Sequence, residues 1–291
     1  MSSLNARAMT DDARLLEVGS SPVAVASKPV APSELKIVSY NIRWRGGEDL
    51  QRIIELLRRD ASLGGAHIIG LQEVDRHTER NGNVNTARVI AEALGMHYAW
   101  AAPPHPEEKK AKKTNKKKGK RTNEVIEDET GVAVLSFFPM TNVERHVLPN
   151  PGPGKRRRAA IGATLTIGAH RVRVYSIHAE TRISTKEKVA QFAHVLDALK
   201  HHTDATRHVV LGDFNTWRAD DKRDTIKLFT DAEFSTPFKP GEETFRLPFV
   251  KWRLDWIWLR GFPSVSSNGV AREIKISDHY PLWLNVNLNQ P

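Results

Sequence analysis

Apolar stretches of this chain repeatedly run into polar residues that can hold a cation or an anion, and this recurrence constrains the fold more than any other feature. Leu35-Lys36-Ile37-Val38-Ser39-Tyr40 leads into Asn41. Ala66 to Leu71 leads into Gln72-Glu73-Val74-Asp75. Arg171 to Ile177 ends at His178, and His208 to Leu211 enters Gly212-Asp213-Phe214-Asn215. Near the end, Ile276-Ser277 precedes Asp278-His279. Short runs rich in β-branched residues read as strands. Side chains at strand ends project into the crevice at a sheet edge, where open sheets bind ligands. Converging Asn, Glu, Asp and His form an oxygen-rich set suited to a hard cation, magnesium first and manganese close behind.

Taken singly, each piece has a structural reading. Asn41 can cap a turn, Glu73 and Asp75 can be a solvated loop, Asp213 and Asn215 can form an Asx-turn, and Asp278-His279 can cap a helix. Together and in this order they point to a site. Between them, Glu48 to Arg59 places Leu50, Ile53, Ile54 and Leu57 at helical spacing. Ala87 to Leu94 reads as a helix stopped by Gly95. Ser184 to His201 carries an apolar stripe of Val189, Phe192, Ala193, Leu196 and Leu199, an ordinary core-packing face. Arg158–Ile167 and Arg171–His178, joined by Gly168-Ala169-His170, read as a hairpin. Paired strands mixed with helices predict an α/β or α+β sandwich rather than a doubly wound sheet.

These motifs resemble the endonuclease/exonuclease/phosphatase family, the deoxyribonuclease I-like phosphoesterases. The resemblance rests on Ser39-Tyr40-Asn41-Ile42-Arg43, Leu71-Gln72-Glu73-Val74-Asp75, Gly131 to Ser136, the strand ending at His178, Gly212-Asp213-Phe214-Asn215, Leu254-Asp255-Trp256-Ile257 and Ser277-Asp278-His279-Tyr280-Pro281. It implies a four-layer α/β/β/α sandwich over residues 35–288. It further implies that Glu73 is the main ligand of a divalent metal, Mg2+ or Mn2+, that Asp278 completes the metal shell, and that Asn41 helps bind the metal or the phosphate. Asp213 would activate the attacking water, and Asn215 would hold a phosphate oxygen. His279, oriented by Asp255, would stabilise the transition state or move a proton. His178 would contact the phosphate or the leaving group. Arg158 would neutralise phosphate charge, with Arg156 and Arg157 leaving that register open. Ala179-Glu180 after His178 departs from the leucine and acidic residue of many members. Outside the site, His67, His97, His170, His194 and His201 are expected to be structural or surface residues, and Trp252, Trp256 and Trp258 to serve core and rim packing rather than base stacking.

Residues 1–34 are expected to be a flexible leader, without a secretory signal. Residues 103–128 read as a Lys-rich insertion. The net charge is +10, and Lys109–Arg121 alone carries nine basic residues and no acidic one. The remainder is therefore near balance. Such a tract suits DNA or RNA backbone contact, and equally an anionic membrane surface. The predicted activity is metal-dependent hydrolysis of a phosphodiester, a nuclease being one form of it. The alternative is a phosphatase or phospholipase C-type phosphodiesterase on small-molecule or lipid head-group phosphates. A non-catalytic binding module is the remote third reading. Cysteine is absent, which excludes thiol chemistry and cysteine-ligated zinc. A cytoplasmic protein is expected, with a monomer the favoured state.

Overall fold

The computed structural model describes residues 14–26, 29–104, 129–149, 152, 155–239 and 241–289. The elements up to the middle of the chain are β1 (Leu16–Ser20), α1 (Pro22–Ala26), β2 (Glu34–Asn41), α2 (Gly47–Arg59), β3 (Ile68–Arg76), α3 (Thr86–Leu94), β4 (His97–Ala101), β5 (Glu129–Ser136) and β6 (Met140–Val147). They continue with β7 (Ala159–Ile167), β8 (His170–His178), α4 (Thr185–Leu199), β9 (Arg207–Asp213), α5 (Ala219–Asp231), β10 (Phe245–Leu247), β11 (Val250–Trp252), β12 (Asp255–Arg260), β13 (Val265–Val270) and β14 (Leu282–Asn287).

Period-two alternation sends the two faces of each strand into different cores. In β2, Leu35 and Ile37 face one core and Val38 and Tyr40 another. In β12, Ile257 and Leu259 share that first core, while Trp256 and Trp258 turn the other way. The shared core lies between a seven-stranded sheet, ordered β1-β4-β5-β3-β2-β14-β13, and a five-stranded sheet, ordered β12-β9-β8-β7-β6. The outer face of the first sheet is covered by α2 and α3 through Leu50, Ile53, Ile54, Leu57, Ile90 and Ala91. That of the second is covered by α4 and α5 through Phe192, Val195, Leu196, Leu199 and Phe229. The result is the expected α/β/β/α sandwich. The two sheets approach so closely at Gly70 that a Cβ there would lie 1.8 Å from Leu211 Cδ1.

Helix ends obey their local chemistry. Asn85 caps α3 by accepting from the Ala87 and Arg88 amides, and Gly95 closes it at φ 73°. Ser184 and Glu187 form a reciprocal capping box on α4.

The leader expected over residues 1–34 is partly built into the fold. β1 pairs antiparallel with β4 along the sheet edge. Its Glu17 lies 3.2 Å from Arg76, whose guanidinium also meets Glu129 at 2.5 Å and stacks 4.2 Å over Trp100. A buried cation thus ties this strand to the sheet. The Lys109–Arg121 tract lies outside the described residues. No helix among the described residues is long and apolar enough to cross a membrane.

Candidate active site

Strand register brings the polar strand ends to one edge of the sandwich. β2 and β3 run parallel with Asn41 opposite Gln72. β8 and β9 run parallel with His178 opposite Asp213, and Asp213 faces Asp255 at the start of β12. Ser39 pairs with Leu282, so Asp278 and His279 enter β14 beside the end of β2. The β10–β11 hairpin clamps this arrangement. The Thr244 hydroxyl accepts from the Leu254 and Asp255 amides, the Thr244 carbonyl accepts from the Tyr280 amide, and the Arg246 amide donates to the Asp278 carbonyl at 2.6 Å.

Two of the residues expected at the site sit in left-handed backbone. Glu73, at φ 54°, occupies the irregularity where β3 slips register against β5, which turns its side chain out of the alternation. Asn215, at φ 52°, comes just after Gly212-Asp213, and its amide donates to Asp213 Oδ1 at 2.9 Å. Strained positions of this kind persist where surrounding structure over-determines them. Here Lys188 Nζ donates to the Asn215 carbonyl and, at 2.9 Å, to Asp221.

The side chains form a connected set. Asn41 Nδ2 donates to Asp213 Oδ2 at 3.0 Å and to Glu73 Oε1 at 3.4 Å. His279 Nδ1 contacts Asp255 Oδ2 at 2.9 Å, and its Nε2 lies 3.7 Å from Asp213 Oδ2. His178 Nε2 lies 3.5 Å from the same Asp213 oxygen and 3.8 Å from Glu73 Oε1. Arg158 Nη1 donates to His178 Nδ1 at 3.3 Å, while its Nε donates to Glu180 at 2.9 Å. Arg43 pairs with Asp278 at 3.0 Å.

Environment separates the two histidines. Burial pushes His178 well below the usual histidine range, and the Arg158 cation pushes the same way. Arginine can only donate, so Nδ1 of the neutral ring accepts and Nε2 carries the proton toward the cavity. Burial would also depress His279, but the carboxylates of Asp255 and Asp213 outweigh it and lift the ring to about 10. Burial raises the Asp213 carboxyl, with Asp255 and Glu73 adding to the rise against the pull of His279. Burial raises Glu73 as well.

The cavity at this edge measures about 250 Å³. Glu73, His178, Asp213, Asn215, Asp278 and His279 line it, together with Arg43, Thr181 and the rings of Trp44, Trp217, Phe245 and Trp252. Asn41, Asp255 and Arg158 stand behind that lining.

The model of the Endonuclease/Exonuclease/phosphatase family matches residues 38–279, most of the chain. The chain belongs to that family. Its members are hydrolases of phosphoester bonds and generally use a divalent metal. A search of curated protein sequences found no match. Among solved structures, an endonuclease/exonuclease/phosphatase from Beutenbergia cavernae superposes with a TM-score of 0.65 at 20% identity, over 88% of this chain and 72% of that one. The human Nocturnin catalytic domain with bound sulfate gives 0.63 at 18% identity, over 88% and 93%. TDP2 from D. rerio, complexed with single-strand DNA product, gives 0.63 at 14% identity, over 88% and 100%. At these identities the structures show the shared fold.

All residues expected at the site lie together at this edge. Two donor sets there need to be told apart. Asp213, Asp255 and His279 offer atoms within 4.8 Å of one another, but Asp255 bonds His279 Nδ1 at 2.9 Å, Asp213 lies 3.7 Å from its Nε2, and both carboxylates favour the protonated ring, whereas a metal ligand must be a neutral imidazole. Glu73 is different, because its Oε2 is buried with no hydrogen-bond partner. A bare carboxylate oxygen of this kind fits a cation. Of the three tryptophans expected in core and rim packing, Trp256 and Trp258 lie in the core and Trp252 walls the cavity at its rim. The histidines set aside as structural or surface line no part of this cavity. His67, for one, accepts from the Lys36 amide and stacks on Phe138.

Sequence reading missed Thr244, Trp44, Trp217 and the buried Lys188–Asp221 pair. Lys188 left a signal. It sits four residues before Phe192, on the stripe that continues through Val195 and Leu199, where a charged residue demands a buried partner.

Proposed function

We propose that the chain is a divalent-metal-dependent phosphodiesterase that cleaves a nucleic-acid strand by in-line attack of water. The observation that carries this reading is the convergence, in one small cavity, of the unpartnered Oε2 of Glu73, the His279 ring and a wall of aromatic rings. Glu73, Asn41 and Asp278 would hold the cation, Mg2+ or Mn2+, which when bound supplies charge neutralisation on the phosphoryl group and leaving oxygen.

The protein's own groups do the rest. Asp213, its basicity raised by burial, accepts the proton of the attacking water as the new P–O bond forms. Asn41 holds Asp213 in place through its 3.0 Å bond. Asn215 spends one amide hydrogen on the Ala179 carbonyl at 2.9 Å and keeps the other for a phosphate oxygen. His279, fixed by Asp255, directs Nε2–H at the oxygen that gains charge in the transition state. His178 directs its Nε2–H into the same cavity, where it contacts the phosphate or the departing oxygen. Arg158 fixes that tautomer and adds positive charge behind it.

The rings supply the substrate preference. Trp217 lies 5.9 Å from Trp252, which stacks on Phe245 at 6.0 Å, and Trp44 is flanked by Arg43 and Arg80 at 5.5 and 5.0 Å. Aromatic faces beside cations are how single strands are held, each base stacked and each phosphate neutralised. The fold shared with a TDP2 that carries a single-strand DNA product agrees with this reading. Lys109–Arg121 would add sequence-independent attraction for the backbone.

One observation favours a second reading, a phosphatase or phospholipase C-type phosphodiesterase on small-molecule or lipid head-group phosphates. Leu247 and Phe249 are exposed on the β10–β11 hairpin beside the site, and they suit an apolar surface.

The test is hydrolysis by purified protein with Mg2+ or Mn2+, and with EDTA, of single-stranded DNA, RNA, phosphomonoesters and phospholipid vesicles. Strand cleavage should fall about 10²- to 10⁴-fold in Asp213→Asn and His279→Ala. Cleavage confined to lipid or small phosphates would select the second reading. No metal-dependent turnover of any of them would leave a binding module.

A further inference from the structure

A second cavity opens beside the catalytic one, and its charge is not accounted for by the chemistry at the scissile bond. It measures about 440 Å³ and is lined by Lys155, Arg156, Arg158, Glu180, Thr181 and Arg182. Four cations face one carboxylate there. Glu180 is taken, because it is buried and bonds Arg158 at 2.9 Å. Lys155 Nζ donates to the Arg182 carbonyl at 2.5 Å, which brings its charge over the same loop without neutralising it. The guanidinium groups of Arg156 and Arg182 meet no carboxylate among the described residues.

The two cavities are neighbours. Thr181 lines both. Arg158 reaches from the second to the wall of the first, touching Glu180 on one side and His178 on the other. An anion seated among these cations would be separated from the scissile phosphate by the width of one side chain. Unpaired guanidiniums converging on a pocket are suited to the doubly or triply oxygenated face of a phosphate, which they bind in a bidentate fork. A phosphodiester alone, held between Asn215, His178 and His279, would leave them unused.

We propose that this basic cavity is a subsite for a second phosphate of the substrate, next to the one that is cleaved. The inference rests on the reading of the first cavity as a phosphodiesterase site. It deepens that reading by requiring at least two phosphates on the preferred substrate, whether along a nucleic-acid strand or on a small polyphosphate.

The experiment compares matched pairs that differ by one phosphate. One set is a thymidine dinucleotide with free ends against the same dinucleotide phosphorylated at its 5′ end or at its 3′ end. The other is glycerophosphoinositol against glycerophosphoinositol 4-phosphate, a small phosphodiester without and with a second phosphate. The wild type should favour the more phosphorylated member of one pair by at least about tenfold in kcat/KM, the size of one charge-assisted hydrogen bond. The Arg156→Ala/Arg182→Ala variant should bring that ratio close to one, and Arg182→Lys, which keeps the charge but not the fork, should keep part of it. A thermal melt of each variant checks that the fold is intact. The pair that shows the gain distinguishes a strand from a small polyphosphate. Turnover of both members of every pair at equal kcat/KM would overturn the subsite and leave the phosphodiesterase reading standing. A preference that survives in the double alanine variant would also overturn it, by placing the second phosphate elsewhere. Absence of turnover on all of them would remove the phosphodiesterase reading itself and the subsite with it.

Discussion

Replacing Lys188 with methionine keeps the length of the side chain and removes its charge, which isolates the work done by that buried cation. Lys188 and Asp221 are both fully buried, 2.9 Å apart, and Lys188 also donates to the Asn215 carbonyl. In Lys188→Met, Asp221 keeps only neutral donors, the Thr185 hydroxyl at 2.6 Å and the Arg218 amide at 3.3 Å. Breaking one side of a buried ion pair costs about 3–5 kcal/mol, because a charge is left uncompensated. For a domain of this size that is a fall in Tm of roughly 6–20 °C. Adding Asp221→Leu removes the stranded charge and should recover most of the loss, since apolar replacement of a whole buried pair is often neutral. Activity should behave differently. The Asn215 carbonyl keeps only the local Trp217 amide at 3.0 Å in both variants and loses its tie to α4, so the left-handed turn that presents Asn215 loosens. Misplacement on the ångström scale costs up to about 10²-fold, and kcat should stay about ten- to a hundredfold low in the double variant even as Tm returns. Denaturant melts and steady-state rates on the same preparations measure both. Recovery of kcat together with Tm in the double variant would refute the positioning role of Lys188. A single variant within about 1 kcal/mol of wild type would refute the buried-pair reasoning.

The metal, the inter-sheet contact and a buried histidine each give a further test. If Glu73 is the cation's main ligand, Mn2+ at about a hundred times its Kd should stabilise the wild type by about 2.7 kcal/mol; Glu73→Gln should lose that metal-dependent rise in melting temperature, and a retained rise would move the metal elsewhere. Gly70→Ala should cost about 1–3 kcal/mol from overpacking against Leu211, with Leu211→Ala in the same chain restoring part of it; an unchanged melt would show that the sheets can part there. His208, with its pKa lowered to about 4 by burial and by Arg260, takes up fewer protons when folded than the unfolded chain does between about pH 6.5 and 4. Its contribution is therefore present above pH 6.5 and is lost as pH falls through that window. His208→Gln should flatten the acid limb of a stability-against-pH curve there, and an identical limb would assign the loss to other groups.

How much of the fold and site was legible depended on whether a residue's partners are close in sequence. The strand ends at Asn41, Glu73, His178 and Asp213 could be read because an apolar run announces the strand and its last residue announces the site. The helices α2 and α3 announced themselves through Leu50, Ile53, Ile54 and Leu57 and through Gly95. Helix α5 stayed hidden because its buried residues are Asp221, Thr225 and Phe229, so two of the three positions facing the core are polar and no apolar stripe forms. The strand β1 stayed hidden for a related reason. Its five residues include the half-buried Glu17, paired with Arg76, a residue far along the chain. Trp252 shares its spacing and chemistry with Trp256 and Trp258, and only the hairpin that carries it separates a cavity wall from a core.

The chemistry of the site is set by partners more than by residue types. His178 and His279 are both buried imidazoles within 4 Å of Asp213. Burial depresses both, so burial cannot divide their labour. Arg158 donates to Nδ1 of one, which makes that ring an acceptor there and keeps it neutral; Asp255 accepts from Nδ1 of the other, which makes it a cation. Each Nε2 then carries a hydrogen toward the cavity, but one is a neutral donor and the other a charged one. An anionic phosphate that gains charge as water attacks needs the charged donor on the oxygen where that charge grows, and a neutral donor wherever a second full charge would hold the product back. Exchanging the partners should therefore do more damage than removing them. Arg158→Glu would draw His178 toward the charged form and raise product affinity while lowering turnover, whereas Arg158→Met would leave it neutral. A product-inhibition constant that fails to separate these two variants would show that the protonation state of His178 does not govern release.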